Sequence, residues 1–485
     1  MRAAFRNALV RLLVLCATLA AVPVRAQMLN DHHYPVGHRA GGMGGAAVAM
    51  SGDAAIAFYN PAGLGYLEAE SFSASVAGYG VMQLDVPHMA KLSDAEGGRT
   101  ATSGEGASYS LQAFPTATSY TNVFAERGGA RHVISALMTV PDLEDYRFSS
   151  SLVSADPKIS WHMEHRTTVR NYWLGLAYGV GYEKVSFGLA LFFPLLIAEQ
   201  MTKESFATQG ALTSTYRNYW SYSLSFTPQV GVQVRPTPRW RLGASLAAPS
   251  VELGHFGEYH SEIERTTPTG MEWVRFESSS FHVADKQPWR LRMGAGYEVR
   301  KTFAVALDVS VYGPVKTYDR IPAFKATRSD NRTFAEETVR LPGEDEVTRV
   351  MTPQLNLGFE YWITDEVPVR IGGFTNWSSS VSLADEKALA PLFGNDGVQR
   401  PKGSEPPRLQ GGGGVLGVGL VQEDQRSWFV ALSVAYLKGE IHGVLIKDVD
   451  TLETAPFDTE ASAIVGVLLV AGTFEIMPIR LAFPG

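Results

Sequence analysis

The stretch Tyr172-Trp173-Leu174-Gly175-Leu176-Ala177-Tyr178-Gly179-Val180-Gly181-Tyr182-Glu183-Lys184-Val185-Ser186-Phe187-Gly188-Leu189-Ala190-Leu191 decides the fold. Its even positions from Tyr172 to Tyr182 are large and apolar, whereas the odd ones after Trp173 are Gly or Ala. After Glu183-Lys184 the same alternation restarts, with Val185, Phe187, Leu189, Leu191 and Phe193 against Ser186, Gly188 and Ala190. A period of two is the signature of a strand with two unlike faces. The two-residue break makes the pair a hairpin.

The pattern recurs along the chain. Trp240, Leu242, Ala244 and Leu246 alternate with Arg241, Gly243 and Ser245; Trp289, Leu291, Met293, Ala295, Tyr297 and Val299 alternate with Arg290, Arg292, Gly294, Gly296 and Glu298. Phe303 to Val311 and Trp428 to Tyr436 behave likewise. These strands run to about ten residues or more, the length of a tilted membrane-spanning strand and longer than the five or six usual in a soluble sandwich. Fourteen are expected, near 71–83, 107–121, 131–141, 167–182, 184–196, 216–234, 239–252, 288–299, 302–313, 350–363, 366–379, 409–421, 426–440 and 462–478. The connections alternate between short turns, such as Glu183-Lys184, Arg235 to Pro238, Arg300-Lys301, Thr364-Asp365 and Glu423 to Gln425, and long polar segments near 84–106, 142–166, 197–215, 253–287, 314–349, 380–408 and 441–461. That is the plan of an outer-membrane barrel with short periplasmic turns and long extracellular loops, and it puts both termini in the periplasm. Trp and Tyr at strand ends, among them Tyr216, Trp240, Trp289, Tyr361, Trp377, Trp428 and Tyr436, suit the two membrane interfaces. The fold expected is an all-β, antiparallel transmembrane barrel of about 14 strands. Hairpin register sets Glu360 opposite Arg370 on the inward face, where a charge pair is tolerated. On the lipid face a basic residue costs about 2–4 kcal/mol at mid-membrane.

The ends and the composition agree. Met1-Arg2-Ala3-Ala4-Phe5-Arg6, an apolar run to Val22 and Val24-Arg25-Ala26 read as a signal peptide cleaved after Ala26. Cys16, the only cysteine, lies inside that run behind a bulky Leu15, a poor lipoprotein site, so no disulfide holds the mature fold. The formal net charge of -7 becomes more negative once Arg2, Arg6, Arg11 and Arg25 leave, which argues against nucleic acid as a partner. After the signal peptide no apolar run reaches the roughly 18 residues that a membrane helix needs.

Residues 27–70 break the alternation. They contain the small-residue run Ala40 to Ala49, then Gly52-Asp53-Ala54, then Asn60-Pro61-Ala62-Gly63-Leu64 just before the first strand. Pro61 restricts Asn60 to extended backbone, Asn60 can bond neighbouring peptide groups, and Gly63 tolerates unusual conformations. The alternative is an ordinary turn. Together with Gly231-Val232-Gln233-Val234 before Pro238-Arg239-Trp240-Arg241-Leu242-Gly243, and with the strand count, this segment resembles the N-terminal plug of the FadL-type long-chain fatty-acid transporters and the related toluene and xylene porins. The likeness spans the mature chain. It implies three parts: a signal peptide at 1–26, a plug inside the lumen at 27–70 and a barrel at 71–485. It also implies a monomer in contact with outer-membrane lipid that carries an apolar small molecule past the plug and out through a defect in the wall. The plug motif would be Gly52, Asp53, Asn60, Pro61, Ala62 and Gly63. Where the family's plug begins with an aromatic-bearing segment, Met28, Leu29 and Tyr34 stand here.

Other chemistry is sparse. Arg290 and Arg292 face the lumen and suit a fatty carboxylate; the alternative is a structural link to Asp308 on the next strand. Phe192 and Phe193, before Pro194, line a loop mouth or simply face lipid. His32, His33 and His38 with Asp31 match no closed metal site, and His162-Met163-Glu164-His165 lacks the spacing of a helical zinc motif. Gly42-Met43-Gly44-Gly45 follows no strand, so it is no nucleotide loop. Neither a catalytic residue, a cofactor nor a metal is expected. A lipid-modifying enzyme would need a Ser-His-polar constellation that no nucleophile elbow announces. The reading is passive uptake of hydrophobic molecules, most simply long-chain fatty acids or similar hydrocarbons. Its alternative is a docking or shuttle component of a protein secretion system, for which the acidic stretches Glu336-Glu337 and Glu344-Asp345-Glu346 are also suited.

Overall fold

The structure, a computed structural model, describes residues 34–475 apart from 51–54, 68–70, 95–98, 104–105, 155–158, 208–211, 269, 332–335, 342–343, 380–407, 423–425 and 449–452. The expected signal peptide, 1–26, lies outside the described residues.

Fourteen strands form the wall: β1 Ser71–Val86, β2 Gly106–Arg127, β3 Ala130–Ser154, β4 Ile159–Gly181, β5 Val185–Ala207, β6 Leu212–Val234, β7 Trp240–Ala247, β8 Arg290–Val299, β9 Phe303–Tyr312, β10 Thr352–Trp362, β11 Pro368–Asn376, β12 Arg408–Val421, β13 Ser427–Asp448 and β14 Glu453–Glu475. Each pairs antiparallel with its sequence neighbour, and β14 pairs with β1 from Ser71↔Glu475 to Asp85↔Ser462, which closes the barrel. Closure removes the free edges that lipid could not satisfy.

The alternation read from the sequence is the inside–outside alternation of the wall. Leu174, Leu176, Phe187, Leu189, Val230, Leu242, Ile371, Leu416, Val430 and Leu432 are exposed, while Ala177, Ala190, Ser245, Ala431 and Ser433 are buried. An exposed apolar belt of this extent needs a lipid phase to cover it. Tyr182, Trp240, Tyr361 and Trp428, all exposed beside short turns, ring one end of that belt. Among those turns Gly128-Gly129 has φ of 61° and 75°, a left-handed pair that side chains resist.

Apart from 380–407, which lies outside the described residues, the segments expected to be long loops are largely strand. β3 and β4 pair on from Asp142↔Asn171 to Ser154↔Ile159, β5 and β6 from Leu195↔Leu224 to Ala207↔Leu212, and β13 and β14 as far as Asp448↔Glu453. An antiparallel ladder needs only peptide groups, so Ser149-Ser150-Ser151 pairs with Glu164, Met163 and His162 as readily as an apolar run would. The sequence signal fades there because neither face meets lipid. At ~3.3 Å per residue a strand of this length is roughly 75 Å long and stands well clear of a membrane. By contrast β7 to β11 have 8 to 11 residues each. Above them a hairpin, Val251–Thr267 and Gly270–Ser278, pairs with the upper half of β6, and Phe324–Asp330 with Glu336–Leu341 continues that sheet.

Candidate functional site

Residues 34–50 and 55–67 are buried against the bare inner faces of the wall. The extended Asn60 (φ -153°, ψ 105°) is followed by Pro61 at the start of a 3₁₀ turn, Pro61–Tyr66. Its amide donates to the carbonyls of Val48 (2.8 Å) and Val232 (3.0 Å), and its side-chain oxygen accepts from the N–H of Ala62. One side chain thereby links two turns of the inner segment to β6. Gly63 is required for space, because a Cβ there would come within 2.4 Å of Ile56; its φ is not positive. The wall glycines make room in turn: a Cβ on Gly188 would meet Pro61, one on Gly231 would meet Asn60, and one on Gly243 would meet Val48, all within 2.3 Å. Ser186 and Ser245 donate to the carbonyls of Ala62 (2.5 Å) and Tyr59 (2.7 Å), and Gln233 donates to that of Ala49.

Arg290 and Arg292 are both buried and both turned to this segment. Arg292 donates to the Phe58 carbonyl at 2.7 Å and lies 4.9 Å from the Phe58 ring; Arg290 donates to Gln229 at 3.1 Å and lies 5.3 Å from the rings of Phe58 and Trp173. Phe192, fully buried on β5, completes that aromatic box with Trp173 at 5.5 Å and Phe58 at 6.2 Å. Phe193 points the other way and meets Phe226. Asp308 accepts from the backbone N–H groups of Ala47 (2.6 Å) and Val48 (2.8 Å). Beside it a small cavity is lined by Tyr34, Tyr59, Arg292, Asp308, Ser310, Tyr312, Gln354, Asn356 and Phe374, a mixture of rings and hydrogen-bonding groups.

At the short-turn end, Glu360 and Arg370 are cross-strand partners joined at 2.7 Å. Arg39 of the inner segment enters the same cluster, 2.7 Å from Glu360 and 2.9 Å from Glu298, and Arg241 closes it on Glu298. Paired charges of this kind are far less costly to bury than single ones. The two carboxylates hold the Arg39 guanidinium charged, raising its pKa, while burial holds neighbouring His38 neutral and pushes its pKa down to about 3.

The wall is irregular between β2 and β3. β2 and β3 pair only from Ala117↔Thr139 to Arg127↔Ala130. Beyond that point β2 continues against β1 and β3 against β4, with register shifts at Ser75/Val76, Ala77/Gly80 and Thr139/Asp142. Proline, which has no N–H to give, stands on both sides at Pro115 and Pro141. At the irregular step the carbonyl of Val140 accepts from the hydroxyl of Tyr34, 2.5 Å away.

Of the residues singled out from the sequence, Tyr34, Asn60 to Gly63, Phe192, Arg290 and Arg292 therefore line or build the inner segment's seat, and Glu360 and Arg370 anchor its Arg39. Met28, Leu29, Gly52 and Asp53 lie outside the described residues. Sequence reading missed Arg39, Glu298, Ser186 and Gln233. Gln233 could have been found as an amide on the bare face of a strand otherwise ending in Val230, Val232 and Val234.

Fourteen strands closed around a buried N-terminal segment define the class: a membrane β-barrel whose interior is occupied by its own chain. Among solved structures it is similar to a Pseudomonas aeruginosa FadL homologue, with 12% identity, 92% of this chain and 100% of the other covered, and a TM-score of 0.60. It is also similar to the toluene transporter TbuX of Ralstonia pickettii, with 13% identity, 93% and 100% covered, and a TM-score of 0.51. No protein-family model and no curated protein matches the sequence. The chain has the FadL-type barrel fold.

Proposed function

We propose that this barrel is a passive uptake route in the outer membrane for hydrophobic small molecules, most simply long-chain fatty acids or similar hydrocarbons, with residues 27–70 as its plug. The observation that carries the reading is the β2–β3 seam, whose ladder stops at Ala117↔Thr139 and whose Val140 carbonyl is taken up by Tyr34 of the inner segment instead. A wall whose peptide groups faced hydrocarbon unpaired would cost several kcal/mol per group, so such irregularity is tolerated only where it lines a cavity or is covered by protein. Tyr34 covers part of it here. An apolar ligand needs no catalytic group and no water-filled pore; it needs a way from the lumen into lipid. On this reading the short-turn end is the periplasmic one, and the tall strands β2 to β6 and β12 to β14 face outward. The monomer is sufficient, since its wall is closed and its belt is covered by lipid.

Arg290 and Arg292 are engaged with Phe58 and Gln229, so a carboxylate reaching them competes with the plug's own carbonyl. Fatty-acid binding and plug loosening are then one event. The likeness to a toluene transporter supports an apolar ligand and leaves the head group open. The test is to purify the protein in detergent, identify co-extracted small molecules by mass spectrometry, and titrate oleate and toluene. Enrichment of fatty acids, with oleate affinity reduced in an Arg292→Gln variant, is the expected result. Enrichment of neutral hydrocarbons alone would move the substrate class. An empty barrel that binds neither probe would overturn uptake.

A further inference from the structure

We propose that the mouth of the barrel carries a binding site for a divalent transition-metal ion of the zinc, copper or nickel type, formed by Glu252, His255 and His282. The three contact one another and play no part in the transport reading. One donor atom from each lies within 4.8 Å of the other two, the His255 and His282 ring centroids are 4.0 Å apart, and the Glu252 carboxylate stands 2.6 Å from Nδ1 of His255 and 2.9 Å from Nε2 of His282. Two imidazole nitrogens and one carboxylate oxygen are a borderline-soft donor set, which favours zinc, copper or nickel over calcium or magnesium. An ion about 2.1 Å from each donor would replace the direct contacts of Glu252 with the two imidazoles. The remaining coordination positions face solvent and take water.

Backbone features far from any motif build this cluster. In a regular strand Glu252 and His255 would point to opposite faces. The pairing with β6 shifts between Glu252 and Gly254, so that Glu252 opposes Ser225 and His255 opposes Ser223, one bulge bringing both side chains to the same face. His282 comes from a strap that recrosses the hairpin. Phe281 fixes it there, donating its N–H to the Gly257 carbonyl at 3.0 Å and laying its ring where a Cβ on Gly257 would stand, 2.5 Å from it. On the other side Gln287 and Ser250 exchange hydrogen bonds at 2.8 and 3.0 Å. The His282 imidazole is thus held at its partners before any ion arrives. Among the described residues no lysine or arginine is within ion-pair distance of Glu252, in contrast to Glu262 and Glu277 further up the same hairpin, which Arg275 neutralises. A bound ion would pin the strap to the hairpin and stiffen the rim above the short strands β7 to β9.

Full-length protein without a histidine tag is titrated in detergent with zinc by calorimetry and with cobalt by visible absorption. One ion per barrel is expected, with a cobalt spectrum of low coordination number and protection of the strap at 279–289 from protease. His282→Ala and His255→Ala should each weaken zinc at least roughly tenfold and abolish both the cobalt band and the protection. Unchanged heat-modifiable mobility on a gel would show that each variant still folds. Glu252→Gln, which keeps the shape and removes the charge, should weaken zinc by a similar factor. Wild-type protein that binds no zinc, or His282→Ala protein that binds it equally well, would overturn the site.

Discussion

The seams β4–β5 and β2–β3 are built from similar material and end differently. β4 and β5 pair without a shift from Ser160↔Ala207 to Gly181↔Ser186, although Pro194 lies in the middle, opposite Trp173. β2 and β3 part company after Ala117↔Thr139. One proline does not open a wall: on its other side Pro194 merely interrupts the β5–β6 ladder between Phe192↔Thr227 and Leu195↔Leu224, with register kept. The ladder stops where neighbouring strands each carry a proline and each shifts register against its outer neighbour. The two seams also differ on their inner faces. The closed one seats the inner segment on glycines, and the open one touches it through Tyr34.

The closed seam is the one to break first. Gly188→Ala would put a methyl 2.2 Å from the carbonyl carbon of Pro61, where only backbone can give way. We expect up to about 3 kcal/mol of destabilisation from overpacking, read as a lower denaturation midpoint, together with leakage of small hydrophilic solutes through reconstituted barrels. Gly466→Ala, whose Cβ meets nothing nearer than 4.0 Å, serves as the control. Equal leakage in the two variants would mean that the segment is not seated as described.

Sharpening the contrast at the open seam comes next. Pro115→Val with Pro141→Val restores two N–H donors and lets β2 and β3 zip further. At roughly 1 kcal/mol net per backbone bond, uptake of radiolabelled oleate should fall by about thirtyfold, while Pro194→Val stays near wild type. If both variants transport alike, the seam is not the exit.

How much of this was legible beforehand follows from where a signal meets lipid. In the belt, Leu174 must be large and Gly175 small, because one faces hydrocarbon and the other faces Phe192, so strand positions could be read residue by residue. Above the belt that constraint lapses, and β3 beyond Asp142 read as loop. Asn60-Pro61-Ala62-Gly63 was visible as a motif, and Glu360 opposite Arg370 followed from register alone. Arg39 was invisible as their third partner, since nothing in a sequence brings position 39 beside positions 298 and 360. The bulge that gathers Glu252, His255 and His282 was equally hidden, because a one-residue shift in pairing leaves no compositional trace.

The smallest effect concerns the wall opposite the closed seam, where His38 packs edge-on to Phe429 of β13 at 5.3 Å. Burial keeps this imidazole neutral down to about pH 3 in the folded chain, whereas an exposed histidine takes up a proton near pH 6.5. The released form gains the proton first, so acid favours release: the stabilising contribution is whole above pH 6.5 and shrinks as pH falls from there toward 3. The slope is about 1.4 kcal/mol per pH unit, so going from pH 7 to pH 5.5 should weaken the seating of the inner segment by about that much. The urea midpoint of the wild-type barrel should drop over this interval and that of His38→Gln should drop less. Identical pH dependence in both proteins would assign acid sensitivity to other groups and leave Arg39, with its two carboxylates, as the whole anchor on this side.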